Sequence, residues 1–199
     1  MSKGCFLLYD WTGIVRVELR GFEKLQSHRR DVKPILIANH PCLLDVFIFY
    51  LKLPRLTCIY KASLRKTLIK AQMGEEIGFI SNANPRNMIR EAAAKVAEGE
   101  QLLIFPEGTR TENPPINSFK SGAVAIAKKA GVPLQAVVIY VNSNILSKEQ
   151  SVFRIPQLPI RFILEVGETF YPGDYAHHQH MNTAMESYFI QRLKEGPRG

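Results

Sequence analysis

Three short apolar runs constrain what this chain can become: residues 34–38 (PILIA), 101–105 (QLLIF) and 134–141 (LQAVVIYV). Each is too short for an ordinary helix and lacks the strict alternation of a half-exposed strand, so each reads as a strand buried on both faces. Helix-like segments lie between them. Pro41 fits the first position of a helix running to about Leu51, and Pro54 stops it. Residues 62–73, 87–99 and 121–130 read as helices closed by Gly74, Gly99 and Gly131. Residues 14–20 alternate as IVRVELR, and residues 56–60, 78–81 and 161–166 read as further strands; residues 183–194 form a terminal amphipathic helix. Strands alternating with helices predict an α/β fold, a single domain whose mixed, mostly parallel sheet is flanked by helices. In such sheets ligands bind at the carboxyl ends of the strands.

A chain of 199 residues is expected to form one domain. We place it at residues 14–170, behind an N-terminal segment (1–13) and ahead of a C-terminal extension (171–199) that carries the amphipathic helix. At 46% hydrophobic and 22% charged, the composition excludes the disordered class. Residues 132–147, within the longest charge-free stretch (130–147), contain Pro133, Gln135, Asn142, Ser143 and Asn144. A spanning helix needs ~20 mostly apolar residues, so none is expected. Residues 1–8 are too short for a secretory signal. The three cysteines, Cys5, Cys42 and Cys58, are odd in number and form no CxxC, which points away from a disulfide framework or zinc site and toward a reducing compartment. The net charge of +8 calls for an anionic partner: nucleic acid, an anionic membrane, an acidic carrier protein or a phosphorylated substrate.

Two strand ends carry reactive side chains. After the first buried run comes Asn39-His40-Pro41-Cys42-Leu43-Leu44-Asp45. A carboxylate five residues after a histidine can hold one ring nitrogen and leave the other as a base; the alternative is a helix-capping His with an Asp in the first turn. No GxSxG elbow supplies a nucleophile, so the simplest chemistry deprotonates a hydroxyl of the substrate. After the second buried run comes Phe105-Pro106-Glu107-Gly108-Thr109-Arg110. Gly allows close backbone approach, Thr offers a hydroxyl and Arg a fork of donors suited to phosphate; the alternative is an ordinary polar turn.

Taken together, the His-x4-Asp of NHPCLLD and FPEGTR some sixty residues later resemble the glycerolipid acyltransferase family, of the 1-acyl-sn-glycerol-3-phosphate acyltransferase (PlsC) type. Phe119-Lys120-Ser121-Gly122-Ala123 is similar to the family's FKxGA, Val132-Pro133 enters its fourth block, and Gly78-Phe79-Ile80 stands where the second block belongs. The likeness covers roughly residues 15–168. It implies an O-acyltransferase moving a fatty acyl group from acyl-CoA or acyl-carrier protein to a lysophospholipid-type hydroxyl. His40 would be the general base and Asp45 its orienting partner. Glu107, Gly108, Thr109 and Arg110 would shape the acceptor site, with Arg86 a shifted counterpart of the second block's arginine. No metal or other cofactor is implied. Ala136 replaces the fourth block's second proline. The GFISN segment and short N-terminus look more like relatives acting on specialised acceptors of the aryl-polyene or ornithine-lipid type.

Family membership implies a peripheral position at the cytoplasmic face of a membrane. Between Val46 and Gly74 stand Lys52, Arg55, Lys61, Arg65, Lys66 and Lys70 with no acidic residue. Lys61, Arg65, Lys66 and Lys70 therefore form a candidate dock for anionic lipid or for an acidic carrier protein. Trp11, with Phe6, Leu7, Leu8 and Tyr9, is either an interfacial anchor or a packing segment. His177, His178 and His180 read as a surface cluster, since no local carboxylate or Cys completes a metal site. A basic nucleic-acid-binding protein is the rival from another class, but no recognised module supports it.

Overall fold

The structure is a computed structural model and describes residues 13–23, 25, 33–53, 55–60, 78–143 and 158–198. Its seven strands are β1 (Val15–Arg20), β2 (Ile35–Ala38), β3 (Leu56–Tyr60), β4 (Gly78–Ser81), β5 (Gln101–Ile104), β6 (Leu134–Val141) and β7 (Ile160–Phe170). The helices are α1 (Leu44–Lys52), α2 (Pro85–Ala97), α3 (Gly122–Ala130) and α4 (His178–Glu195). All seven strands join one sheet in the order β1-β7-β6-β2-β5-β3-β4. The five strands from β6 to β4 run parallel to their neighbours, β7 is antiparallel to β6, and β1 is parallel to β7. The expected mixed, mostly parallel sheet is therefore present.

The apolar runs are buried on both faces because helices cover both sides. Ile35, Ile37, Leu102, Ile104, Leu134, Ala136 and Val138 pack with residues of α2, α3 and α4. The alternate residues Leu36, Ala38, Leu103, Val137 and Ile139 pack with Ile48 and Phe49 of α1 and with Phe162 and Leu164 of β7. The terminal helix belongs to this core, since Met181, Met185 and Phe189 are fully buried at i, i+4 and i+8.

Three of the boundaries that differ from expectation have a clear physical cause. First, α1 begins at Leu44 rather than Pro41, because residues 41–43 form a turn that brings the Cys42 N–H onto the Asp45 carboxylate at 3.0 Å. Second, β7 extends to Phe170. The Gln135 amide donates to the carbonyls of Gly167 (2.8 Å) and Glu168 (3.0 Å), while Thr169 Oγ1 donates to Gln135 Oε1 at 2.7 Å, which carries the pairing past an irregularity between Gln135 and Val137. Gly167 also admits a neighbour no larger residue could: a Cβ there would lie 2.0 Å from the Tyr188 hydroxyl of α4. Third, α4 starts at His178 rather than Thr183, since the turn before Thr183 already buries Met181.

The expected helix at 62–73, residues 1–12, and the basic residues Lys61, Arg65, Lys66 and Lys70 lie outside the described residues. Among the described residues no helix is long and apolar enough to cross a membrane.

Candidate active site

Adjacent strands deliver the two motifs to one place. β2 and β5 are neighbours and parallel, so His40, two residues past β2, and the Phe105–Arg110 segment after β5 emerge at the same sheet edge. Asn39 anchors the first loop on the other side. Its amide donates to Ile139 O at 2.9 Å and its Oδ1 accepts from Ile139 N–H at 2.8 Å, tying the end of β2 to β6.

The His40 ring lies beside Asp45, with Nδ1 to Oδ2 at 3.1 Å. Asp45 is completely buried and the His40 side chain is 14% exposed. A carboxylate offers only acceptors, so in the neutral imidazole that pairs with it the proton is on Nδ1 and the lone pair on Nε2. Asp45 stands in the first turn of α1, where a negative charge is favoured. It has two more partners, the Cys42 N–H and the Cys42 thiol, whose Sγ donates to Oδ1 at 3.3 Å. The Phe105 ring stacks on the imidazole, centroids 4.2 Å apart and planes inclined by 23°.

The thiols near this edge are not nucleophiles. Burial, with the nearby Asp45 charge, pushes the Cys42 thiol well above its ordinary value, and burial pushes Cys58 up to about 12. Only a thiolate attacks carbonyl carbon efficiently, and neither residue supplies one at neutral pH.

The Glu107 side chain turns inward, and the residue is only 2% exposed. Oε1 accepts the His40 N–H at 2.9 Å, Oε2 accepts the Asn117 N–H at 2.8 Å, and Thr111 Oγ1 bridges both oxygens at 3.0 and 2.9 Å. Burial raises the Glu107 carboxyl above its usual range, against the pull of these donors and of His40. Thr111 N–H in turn donates to His40 O at 2.8 Å.

The next three residues face outward to differing degrees. Gly108 is exposed, while Thr109 and Arg110 are half-buried. The Arg110 carbonyl is held by the Asn117 amide at 3.1 Å, and Asn117 Oδ1 accepts the N–H groups of Glu112 (3.1 Å) and Asn113 (3.0 Å). Gly108 has φ +70, and the Lys120 side chain lies over it, close enough that a Cβ would stand 2.7 Å from Nζ. Gly108→Ala is expected to lower stability by about 1–2 kcal/mol, the cost of a left-handed backbone for an L-residue. Lys120 can swing aside, so the loss is one of backbone strain. Urea unfolding measures it, and an unchanged midpoint would show the turn to be relaxed.

Arg86 stands in the first turn of α2, exposed, just past β4. β4 lies two strands from β5 and three from β2. At ~4.8 Å per strand, the end of β4 lies roughly 10–15 Å to the side of the end of β2, and Arg86 follows it on α2. The structure thus brings His40, Asp45 and the 105–110 segment together, with Arg86 beyond a strand three places away from β2 in the same sheet. His177, His178 and His180 are exposed at the start of α4, the rings of His177 and His180 meeting edge to face.

Sequence reasoning assigned no role to Asn39, Phe105, Thr111 or Asn117. Asn39 and Phe105 are the first residues of NHPCLLD and FPEGTR, and Thr111 directly follows FPEGTR. Asn117 carries no local signal.

The family model described as Acyltransferase matches residues 16–140. The chain belongs to the acyltransferase family. Among its relatives, the chain is 24% identical over 157 residues to a 1-acyl-sn-glycerol-3-phosphate acyltransferase of Borreliella burgdorferi, covering 74% of this chain and 60% of that one. It is 31% identical over 123 residues to a lyso-ornithine lipid O-acyltransferase of Pseudomonas aeruginosa, covering 59% of this chain and 47% of that one. The chain spans about half the length of such curated relatives. The crystal structure of PlsC, a 1-acyl-sn-glycerophosphate acyltransferase from Thermotoga maritima, shares the fold, with a TM-score of 0.69 and 24% identity over 96% of this chain and 77% of that one.

Proposed function

We propose that this protein is an O-acyltransferase that moves a fatty acyl group from a thioester to the hydroxyl of a lysophospholipid of the 1-acylglycerol-3-phosphate type. The observation that carries the reading is the His40–Asp45 pair, 3.1 Å apart with the carboxylate fully buried, inside an acyltransferase-family domain. In this reading His40 Nε2 takes the proton of the acceptor hydroxyl as its oxygen attacks the thioester carbonyl. The tetrahedral intermediate collapses, the carbon–sulfur bond breaks, and the thiolate leaves with the proton from the imidazolium. Asp45 holds the ring and offsets its charge. A base so placed contributes ~10²–10⁴-fold.

Acyl-CoA or acyl-carrier protein serves as the donor, and no metal or further cofactor enters the scheme. The likeness to the Pseudomonas enzyme, at 31% identity, favours a second reading in which the same chemistry acts on a lyso-ornithine-lipid type of acceptor. Either acceptor is membrane-borne, which suits a protein peripheral to the cytoplasmic face of an anionic membrane; Lys61, Arg65, Lys66 and Lys70 are its candidate contact with lipid or carrier. A nucleic-acid partner has no part in this reading. A panel of lysolipids offered with both donors, read by mass spectrometry of the products, tests the assignment. Absence of any acylated lipid would overturn it.

Arg110 distinguishes the two acceptors. Arg110→Lys keeps the charge but loses the planar fork that meets two phosphate oxygens together. A charge-assisted hydrogen bond is worth ~1.5–3 kcal/mol, so with a phosphate acceptor the acceptor KM is expected to rise roughly tenfold or more while the donor KM stays put. An acceptor without phosphate predicts a mild effect shared by both substrates. An effect confined to the donor would remove Arg110 from the acceptor site.

A further inference from the structure

Both backbone polar groups of His40 are held by the loop that follows β5. Its N–H donates to Glu107 Oε1 at 2.9 Å and its C=O accepts from Thr111 N–H at 2.8 Å. These bonds join residues some seventy positions apart in the chain, yet they meet at the residue whose ring lies against Asp45. Glu107 is buried, and both of its oxygens face donors on two segments: the His40 N–H on one side and the Asn117 N–H on the other, with the Thr111 hydroxyl bridging. A carboxylate is the only side chain of this length that accepts on both sides at once.

We propose that Glu107 and Thr111 are positioning residues for the base, a clamp that fixes where the imidazole stands relative to the acceptor hydroxyl rather than a contact to the acceptor itself. The proposal rests on the reading of His40 as the base. The physical argument is one of placement. A base displaced by about 1 Å loses roughly 10²-fold in rate, because the reacting atoms leave their near-attack separation. His40 sits on a turn outside regular structure, between β2 and α1, so no helix or strand hydrogen bonds fix its own backbone groups. The Glu107–Thr111 clamp supplies that restraint, and Asn117 braces it by holding the 110–113 backbone.

Glu107→Gln tests the clamp. The amide has one acceptor and one donor end, so its NH2 must face either the His40 N–H or the Asn117 N–H, donor against donor. The expected result, with acyl-CoA and lysophosphatidic acid, is a kcat reduced about tenfold to hundredfold and an acceptor KM changed less than about twofold, since the clamp acts on the transition state and not on acceptor binding. Thr111→Val removes the bridging hydroxyl but keeps the backbone N–H; it is expected to lower kcat about fivefold, and Thr111→Ser to restore it to within about twofold of wild type. A rise in acceptor KM with kcat unchanged would overturn the proposal and return Glu107 to the acceptor site. Unchanged kinetics, or a Ser variant no better than Val, would overturn it as well. If Glu107→Gln does not fold, the Thr111 pair decides alone. His40→Ala is assayed beside them: near-normal turnover there would remove the base itself, a failure distinct from a loss of the clamp with His40 still essential.

Discussion

His40→Ala is expected to lower acyl transfer by about 10²–10⁴-fold, the range that a positioned general base contributes. The fold should survive. The His40 side chain is partly exposed, and its removal leaves the buried Asp45 carboxylate with two partners, the Cys42 N–H at 3.0 Å and the Cys42 thiol at 3.3 Å. The clamp from Glu107 and Thr111 grips the backbone of residue 40, which alanine retains. The main structural loss is the ring stacked on Phe105. Steady-state transfer to lysophosphatidic acid, with a thermal melt as the folding control, measures both effects. Turnover near that of the wild type in a normally folded variant would end the assignment of His40 as base.

The second large effect is that of Asp45→Asn, expected to cost about 10²-fold or more in kcat. Oδ2 of Asp45 receives both the His40 Nδ1–H and the Cys42 N–H. An asparagine can put its oxygen there and its NH2 toward the Cys42 sulfur, a weak acceptor, so the packing is nearly kept. What it cannot keep is the charge. The imidazolium formed during proton transfer then loses the anion beside Nδ1, at a side chain only 14% exposed. If the amide flips, its NH2 faces Nδ1 and favours the tautomer that places the proton on Nε2, where the lone pair is needed. Both outcomes lower kcat, and acceptor KM should move little. Full activity in Asp45→Asn would show that the pair is a helix-capping arrangement and not a catalytic dyad.

The central strands were legible because a run buried on both faces leaves a continuous apolar signature that needs no knowledge of its neighbours. Residues 134–141 coincide with β6, and residues 34–38 and 101–105 exceed β2 and β5 by one residue each. The extension of β7 to Phe170 depends on the Gln135 amide and on Tyr188 seated at Gly167, contacts between residues 20 to 34 positions apart. Local pattern does not encode such contacts. The start of α2 was local and still overlooked: Asn84 accepts the Asn87 N–H at 3.1 Å and Pro85 follows it, a cap and first-turn pair two residues ahead of the expected boundary. At the site, the five-residue spacing leaves both a His40–Asp45 pair and a helix-capping His open, and it is the resemblance to the acyltransferase family that favours the pair. Glu107 could not be placed, because its inward direction follows from β2 and β5 being neighbours, a fact of topology. Thr111 and Asn117 were invisible for the same reason.

The segment 106–110 divides its residues between two audiences. Pro106 and Glu107 are buried against the catalytic loop, whereas Gly108 is exposed and Thr109 and Arg110 are half-buried. On the proposed reading, a lineage can therefore drift at 109 and 110 and meet new head groups while the restraint on the base, from Glu107 two residues before and Thr111 one residue after, stays as it was. Chemistry and substrate preference become separately mutable traits within five consecutive codons. That separation gives a physical route by which one scaffold could serve relatives named for acceptors as different as 1-acylglycerol-3-phosphate and lyso-ornithine lipid.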